Sequence, residues 1–89
     1  MESRVAGEIR HFIISTFLFG DEARMPADDD SLLETGTIDS TGVLELIDFL
    51  ESEYRFSVSD SETVPQNLGS VSNLVRYVQE KADQAAGAV

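Results

Sequence analysis

Val5, Ile9, Phe12, Ile13 and Phe17 recur at spacings of three and four residues, and Thr16 falls on the same stripe. This period lines one side of a helix and predicts helix I over residues 3–19. A second run sets Val43, Leu46, Ile47, Leu50 and Tyr54 within an arc of about 100°, which predicts helix II over residues 40–54. After Ser70, a residue suited to capping, Val71, Leu74, Val75 and Val78 share a face and predict a last helix. That pattern fades near Gln84, in an Ala/Gly-rich tail expected to fray.

The connections have a different texture. Gly20, Pro26, the Asp28-Asp29-Asp30 run and Gly36 crowd residues 20–39 with breakers and short polar side chains, so a long loop is predicted there. Leu32, Leu33 and Ile38 are expected to pin it to the core. Residues 56–69 are Ser-rich and interrupted by Pro65, leaving room for one turn, helix III, around residues 61–64. The best strand candidate, residues 54–59, is short and lies between helical patterns. The expected fold is all-α: a small four-helix bundle with three main helices, one short helix III and a long loop between helices I and II.

Length and charge narrow the function. The 89 residues suit a single domain over residues 1–89, with an ordered core over 3–83. A chain this short buries only about 60–65% of its unfolded surface, which leaves little room for an enzyme core. Seventeen acids against six Lys or Arg give a net charge of −11, the wrong sign for nucleic acid or an anionic membrane and the right one for basic protein surfaces. There is no cysteine, hence no disulfide scaffold, thiolate nucleophile or Cys-containing zinc framework. Neither a membrane-spanning apolar run nor a signal-peptide pattern after Met1 is present, and the expectation is a cytoplasmic monomer.

The candidate chemistry lies where the long loop meets helix II. Ser40 stands at that junction, where unpaired backbone N–H groups and the positive end of the helix dipole favour an anion such as a phosphate. Two readings are open there: Ser40 as a phosphate attachment point, or Asp39 or Ser40 as a plain N-cap, the commoner role of such residues. A nucleophile elbow needs glycine two before and two after the serine; Gly42 fits and Ile38 does not. His11, the one histidine, has no spacing that makes it a catalytic base, and no catalytic residue is assigned. Asp39-Ser40-Thr41-Gly42 fits an aspartic-protease turn poorly, and Asp28-Asp29-Asp30 lacks the alternating ligands and glycine of a calcium loop, so no metal site is assigned.

Asp39-Ser40 opening a helix that continues Val43-Leu44-Glu45-Leu46, preceded by the Leu33-to-Ile38 stretch and followed by another patterned helix, resembles the acyl carrier protein family over residues 5–82. The resemblance implies that Ser40 receives 4′-phosphopantetheine from coenzyme A through a phosphodiester on its side-chain oxygen. It implies a noncatalytic carrier of acyl or aminoacyl thioesters, working in fatty-acid, polyketide, nonribosomal-peptide or cell-envelope biosynthesis. The implied partners are a phosphopantetheinyl transferase, a loading ligase and downstream acyl-processing enzymes with basic docking surfaces. Thr41 departs from the family, many members of which carry a large apolar residue after the serine. A different class of function is an acidic helical adaptor with a carrier-like fold and no arm.

Helix II also carries a surface of its own. Thr41, Glu45, Asp48 and Ser52 fall on one stripe next to Ser40, bordered by Glu51, and the expected partner-binding residues are Asp39, Thr41, Glu45, Asp48 and Glu51. Phe49 falls outside the apolar arc and reads as peripheral core, with a partner contact as the alternative. Gly42 lowers the helix propensity of the first turn by about 1 kcal/mol relative to alanine, which predicts a mobile helix entrance.

Overall fold

A computed structural model describes residues 2–87 of the chain, with side chains from Arg4 to Gln84. Four α-helices follow in order: α1 (Glu2–Phe17), α2 (Ser40–Tyr54), the single-turn α3 (Pro65–Leu68) and α4 (Val71–Gly87). No strand occurs among the described residues, and 54–59 is irregular apart from the end of α2. The core gathers one stripe from each long helix: Ile9 and Ile13 of α1, Leu46 and Leu50 of α2, and Val71, Leu74, Tyr77 and Val78 of α4 are all buried. This is the small helical bundle that the periodicity predicts.

The boundaries depart from expectation at three places, each for a local reason. Helix I was expected to reach residue 19, but α1 stops at Phe17 because Phe19 (φ 54°) and Gly20 (φ 85°) both turn left-handed and carry the Gly20 N–H back to the Ile14 carbonyl at 2.9 Å. The turn expected at 61–64 divides in two: residues Asp60–Glu62 make a 3₁₀ turn, and the α-helical turn comes later, at Pro65–Leu68. Pro65 opens that turn as its first residue, where the missing N–H costs no hydrogen bond, rather than breaking it. At the other end α4 runs past Gln84 to Gly87, as alanine's high helix propensity favours. Of the tail from near Gln84 that was expected to fray, residues 88–89 lie outside the described residues. Ser70 caps α4 as expected, its Oγ accepting the Asn73 N–H at 3.1 Å.

The long loop, 18–39, is held at both faces. Leu32 and Ile38 are buried, whereas Leu33, expected beside them, is 48% exposed. The Leu32 N–H donates to the Gly69 carbonyl at 2.8 Å, and the Ile38 N–H donates to the Leu32 carbonyl at 3.1 Å, so these two side chains turn inward together. Further upstream, Arg10 pairs with Asp28, the Ser72 N–H donates to the Asp28 carbonyl at 3.0 Å, and the Ser72 hydroxyl meets Asp29 Oδ1 at 2.6 Å. These contacts fasten the acidic run to α1 and α4.

Candidate functional site

Asp39 stands just outside α2 with extended backbone (φ −99°, ψ 179°), and its Oδ1 accepts the Gly42 N–H at 2.7 Å while its carbonyl accepts the Val43 N–H at 3.1 Å. The cap is therefore Asp39. Ser40 is the first helical residue and is exposed, and among the described residues no group hydrogen-bonds its Oγ. Its hydroxyl is left for solvent at a helix end that favours phosphate, since first-turn N–H groups have no intrahelical partner.

Gly42 has a role other than loosening this turn. It is buried, and a Cβ built on it would lie 2.8 Å from the ring edge of Phe17, 2.9 Å from Ile38 Cγ2 and 3.3 Å from Asp39 Oδ1. Only glycine lets the end of α1 and the last loop residues close directly onto the first turn of α2. The Ser40 hydroxyl thus sits on a turn clasped from behind.

Along α2 the expected partner-binding residues divide. Thr41, Glu45 and Asp48 are exposed. Asp39 is engaged as the cap, and Glu51 turns the other way, its Oε2 accepting the Val58 N–H at 2.8 Å and fixing the chain after α2. His11 is remote in kind as well as sequence: its Nε2 lies 3.5 Å from Ser15 Oγ on exposed α1 surface, in a cleft whose lining does not include Ser40.

The chain is similar to the probable acyl carrier protein PigG of Serratia sp. (strain ATCC 39006), with 31% identity over 67 residues that span 75% of this chain and 76% of that protein. This chain belongs to the acyl carrier protein family. No protein-family model and no solved structure matches it. Membership makes it a carrier and not a catalyst.

One surface feature of this carrier escaped the sequence reading. Leu44 is 63% exposed, and it follows Ser40 by four residues, so the two share a side of α2. The signal was available: Leu44 is apolar yet lies outside the arc of Val43, Leu46, Ile47 and Leu50.

Two tyrosine–carboxylate bonds hold the carrier's frame around this surface. Tyr54 Oη donates to Glu8 Oε1 at 2.7 Å, joining the end of α2 to α1, and Tyr77 Oη donates to Glu62 Oε1 at 2.8 Å, joining α4 to the 3₁₀ turn. Burial, reinforced by the adjacent carboxylate, pushes both phenols well above their ordinary pKa. The same bonds hold the Glu8 and Glu62 carboxyls below the usual range, with Lys81 adding to the effect at Glu62 from 3.2 Å.

Proposed function

We propose that this protein is a single-domain acyl carrier whose Ser40 hydroxyl accepts 4′-phosphopantetheine from coenzyme A. The observation that carries the reading is the division of labour at the entrance of α2: Asp39 caps the helix, which leaves Ser40 Oγ exposed on its first residue. The residues fit such a group on chemical grounds. A phosphodiester on that oxygen would lie at the electropositive end of α2, and no side chain among the described residues competes for the hydroxyl. When bound, the arm supplies the thiol that holds an acyl or aminoacyl group as a thioester, a group the cysteine-free chain lacks. The chain's own contribution is to hold the attachment turn still and to present the surface that partner enzymes meet.

Docking on those enzymes is proposed to run through Thr41, Glu45 and Asp48, with Leu44 as the apolar contact that position 41 does not provide. Charge attraction of this kind speeds encounter without demanding a large permanent interface, as exchange between successive enzymes requires. The proposed partners are a phosphopantetheinyl transferase, a loading ligase and acyl-processing enzymes with basic docking surfaces. Among the described residues no helix is long and apolar enough to cross a membrane.

Incubation with coenzyme A and a broad-specificity transferase tests the attachment. Intact-mass spectrometry is expected to show one added phosphopantetheine, and peptide mapping to put it on Ser40. A Ser40→Ala variant modified as fully as the wild type, or a wild type refused by several competent transferases, overturns the assignment; the second result favours an adaptor.

A further inference from the structure

α3 is a helix of one turn, Pro65–Leu68, and a turn that short leaves most of its carbonyls without an intrahelical donor. Side chains of α4 supply donors instead. Asn73 Nδ2 donates to the Pro65 carbonyl at 3.1 Å, and the Arg76 guanidinium donates to the Gln66 carbonyl and, at 3.4 Å, to Asn67 Oδ1. Asn67 Nδ2 in turn donates to the Glu62 carbonyl at 2.9 Å, which ties α3 to the 3₁₀ turn before it. That turn is fastened to α4 separately, because the Glu62 carboxylate accepts from Tyr77 Oη at 2.8 Å and from Lys81 Nζ at 3.2 Å. Phe56 closes the same corner, edge-on to the Tyr77 ring at 5.5 Å and with the Lys81 ammonium 5.7 Å from its own centroid.

Residues 59–68 are therefore a wall carried by α4. On α2, Val43, Ile47 and Glu51 stand four residues apart in one row, and Glu51 Oε2 accepts the Val58 N–H at 2.8 Å, so the chain entering the wall lies along that row. Val43 and Ile47 are only half-buried, and Val43 follows Ser40 by three residues. The seam between this row and the wall is thus apolar shelter close to the Ser40 hydroxyl. Leu68 of the wall already belongs to one buried cluster with Leu46, Leu50 and Leu74, so a chain can enter the seam only if the wall moves. Each hydrogen bond from α4 favours the closed wall by about fivefold, and each methylene buried in the seam offsets about fourfold. An acyl chain has to bury rather more than one methylene for every bond it breaks.

We propose that Asn73 and Arg76, together with the Tyr77–Glu62–Lys81 cluster, lock this wall, so that the carrier leaves a short acyl group outside its core, open to solvent and to partner enzymes. The cargo part rests on the carrier reading; the lock does not. Asn73 and Arg76 are positioning residues, touching no cargo and acting through α3.

The lock is tested first on the unloaded chain. Asn73→Asp keeps the side-chain shape but removes the donor to Pro65, at a first-turn position where a carboxylate suits the helix, and it is combined with Arg76→Ala. The Leu68 and Gly69 N–H groups donate to the Val64 and Pro65 carbonyls, and in the double variant their exchange with solvent is expected to rise about tenfold or more while Leu46, Leu50 and Leu74 stay unchanged. Unaltered exchange at Leu68 and Gly69, or a rise shared by all five amides, overturns the lock. Loading follows on the ¹³C-methyl-labelled chain, with acetyl- or hexanoyl-coenzyme A and a broad-specificity transferase that moves the acylated arm to Ser40 and releases adenosine 3′,5′-bisphosphate. The Val43, Ile47 and Leu68 methyl signals are expected to be the same for both acyl groups in the wild type, and to shift with hexanoyl in the double variant. Hexanoyl shifts as large in the wild type, or none in either protein, overturn exclusion by the wall. A chain that no transferase loads sinks the carrier reading and leaves the lock to the exchange result, and a loaded chain whose exchange ignores Asn73 and Arg76 does the reverse.

Discussion

The two ends of α2 are held by different physics. At its entrance the first turn is interlocked by shape, with Phe17 and Ile38 closing on the bare Cα of Gly42 and a single carboxylate capping the amides. At its exit the chain is held by polar bonds: Tyr54 to Glu8, Glu51 to the Val58 N–H, and the left-handed Arg55, whose N–H returns to the Glu51 carbonyl at 3.0 Å. The entrance should therefore respond chiefly to volume, and the exit chiefly to pH and salt. The division suits the proposed carrier role, since Ser40, the proposed attachment residue, sits on the end expected to respond least to solution conditions.

Gly42→Val is expected to give the largest effect. Overpacking of a filled contact costs about 1–3 kcal/mol, and a β-branched residue recovers little of the helix propensity that glycine forgoes. The thermal midpoint should fall by about 5–15 °C, the usual conversion for a domain of this size. Gly42→Ala isolates the conflict, because it gains about 1 kcal/mol of propensity while still placing a Cβ within 3 Å of two neighbours. A clear stabilisation by alanine would show that the entrance is loosely packed, as the sequence alone suggests.

Asp39→Ala ranks next. Removing the cap is expected to cost about 1 kcal/mol in urea denaturation, independent of salt. Replacement by asparagine or serine, which cap without the same charge, should restore most of it. If asparagine fails to rescue, the carboxylate acts through the helix dipole rather than through the 2.7 Å bond to Gly42, and the entrance is electrostatic after all.

Much of this was legible beforehand, and the failures share a cause. The bounds of α2, the cap at Ser70 and the inward stripes follow from local pattern, which depends on neighbours three or four residues away. The lost information is tertiary. Nothing near Gly42 in sequence announces Phe17, nothing near Glu51 announces the Val58 amide, and Leu33 is indistinguishable from Leu32 until a backbone bond to Gly69 turns one of them inward. Pro65 was ambiguous for another reason, since the same ring ends one helix and begins the next. For the site, Ser40 was legible as a position, but its release from capping needed the Asp39 geometry.

The tyrosine–carboxylate bonds give a smaller, pH-dependent effect. A carboxyl whose folded-state pKa is lowered contributes stability above its unfolded value, near 4.5, and loses that contribution as pH falls through the folded value. Glu8→Gln and Glu62→Gln should accordingly melt below the wild type at pH 7, and the difference should close by about pH 2. At the alkaline end the sign reverses: the phenols, raised above 10.0, contribute fully below that value, and stability declines as pH rises beyond it. A deficit in the glutamine variants that stays constant from neutral to acid pH would mean the glutamates act by packing and would erase the contrast between the two ends.

The smallest expected effect is a gain. Arg55 adopts φ 58°, a region that costs a residue with a Cβ about 1 kcal/mol and glycine almost nothing, so Arg55→Gly should relieve strain at the exit of α2. Two terms oppose it. Glycine is freer than arginine in the unfolded chain, and the substitution removes a cation from the negative end of a helix, where it contributes about 0.3–1 kcal/mol at low salt. The loss is sharpened here because thirteen of the seventeen acids lie between Asp21 and Glu62, with Arg24 and Arg55 alone opposing them. Salt separates the terms, since the Debye length shrinks to about 3 Å at 1 M and leaves backbone strain untouched. Arg55→Gly should be neutral or slightly destabilising in dilute buffer and stabilising by about 0.5 kcal/mol in molar sodium chloride. A gain independent of salt would assign the exit to backbone geometry, and a loss that persists at high salt would mean that the arginine side chain packs there rather than serving as a charge.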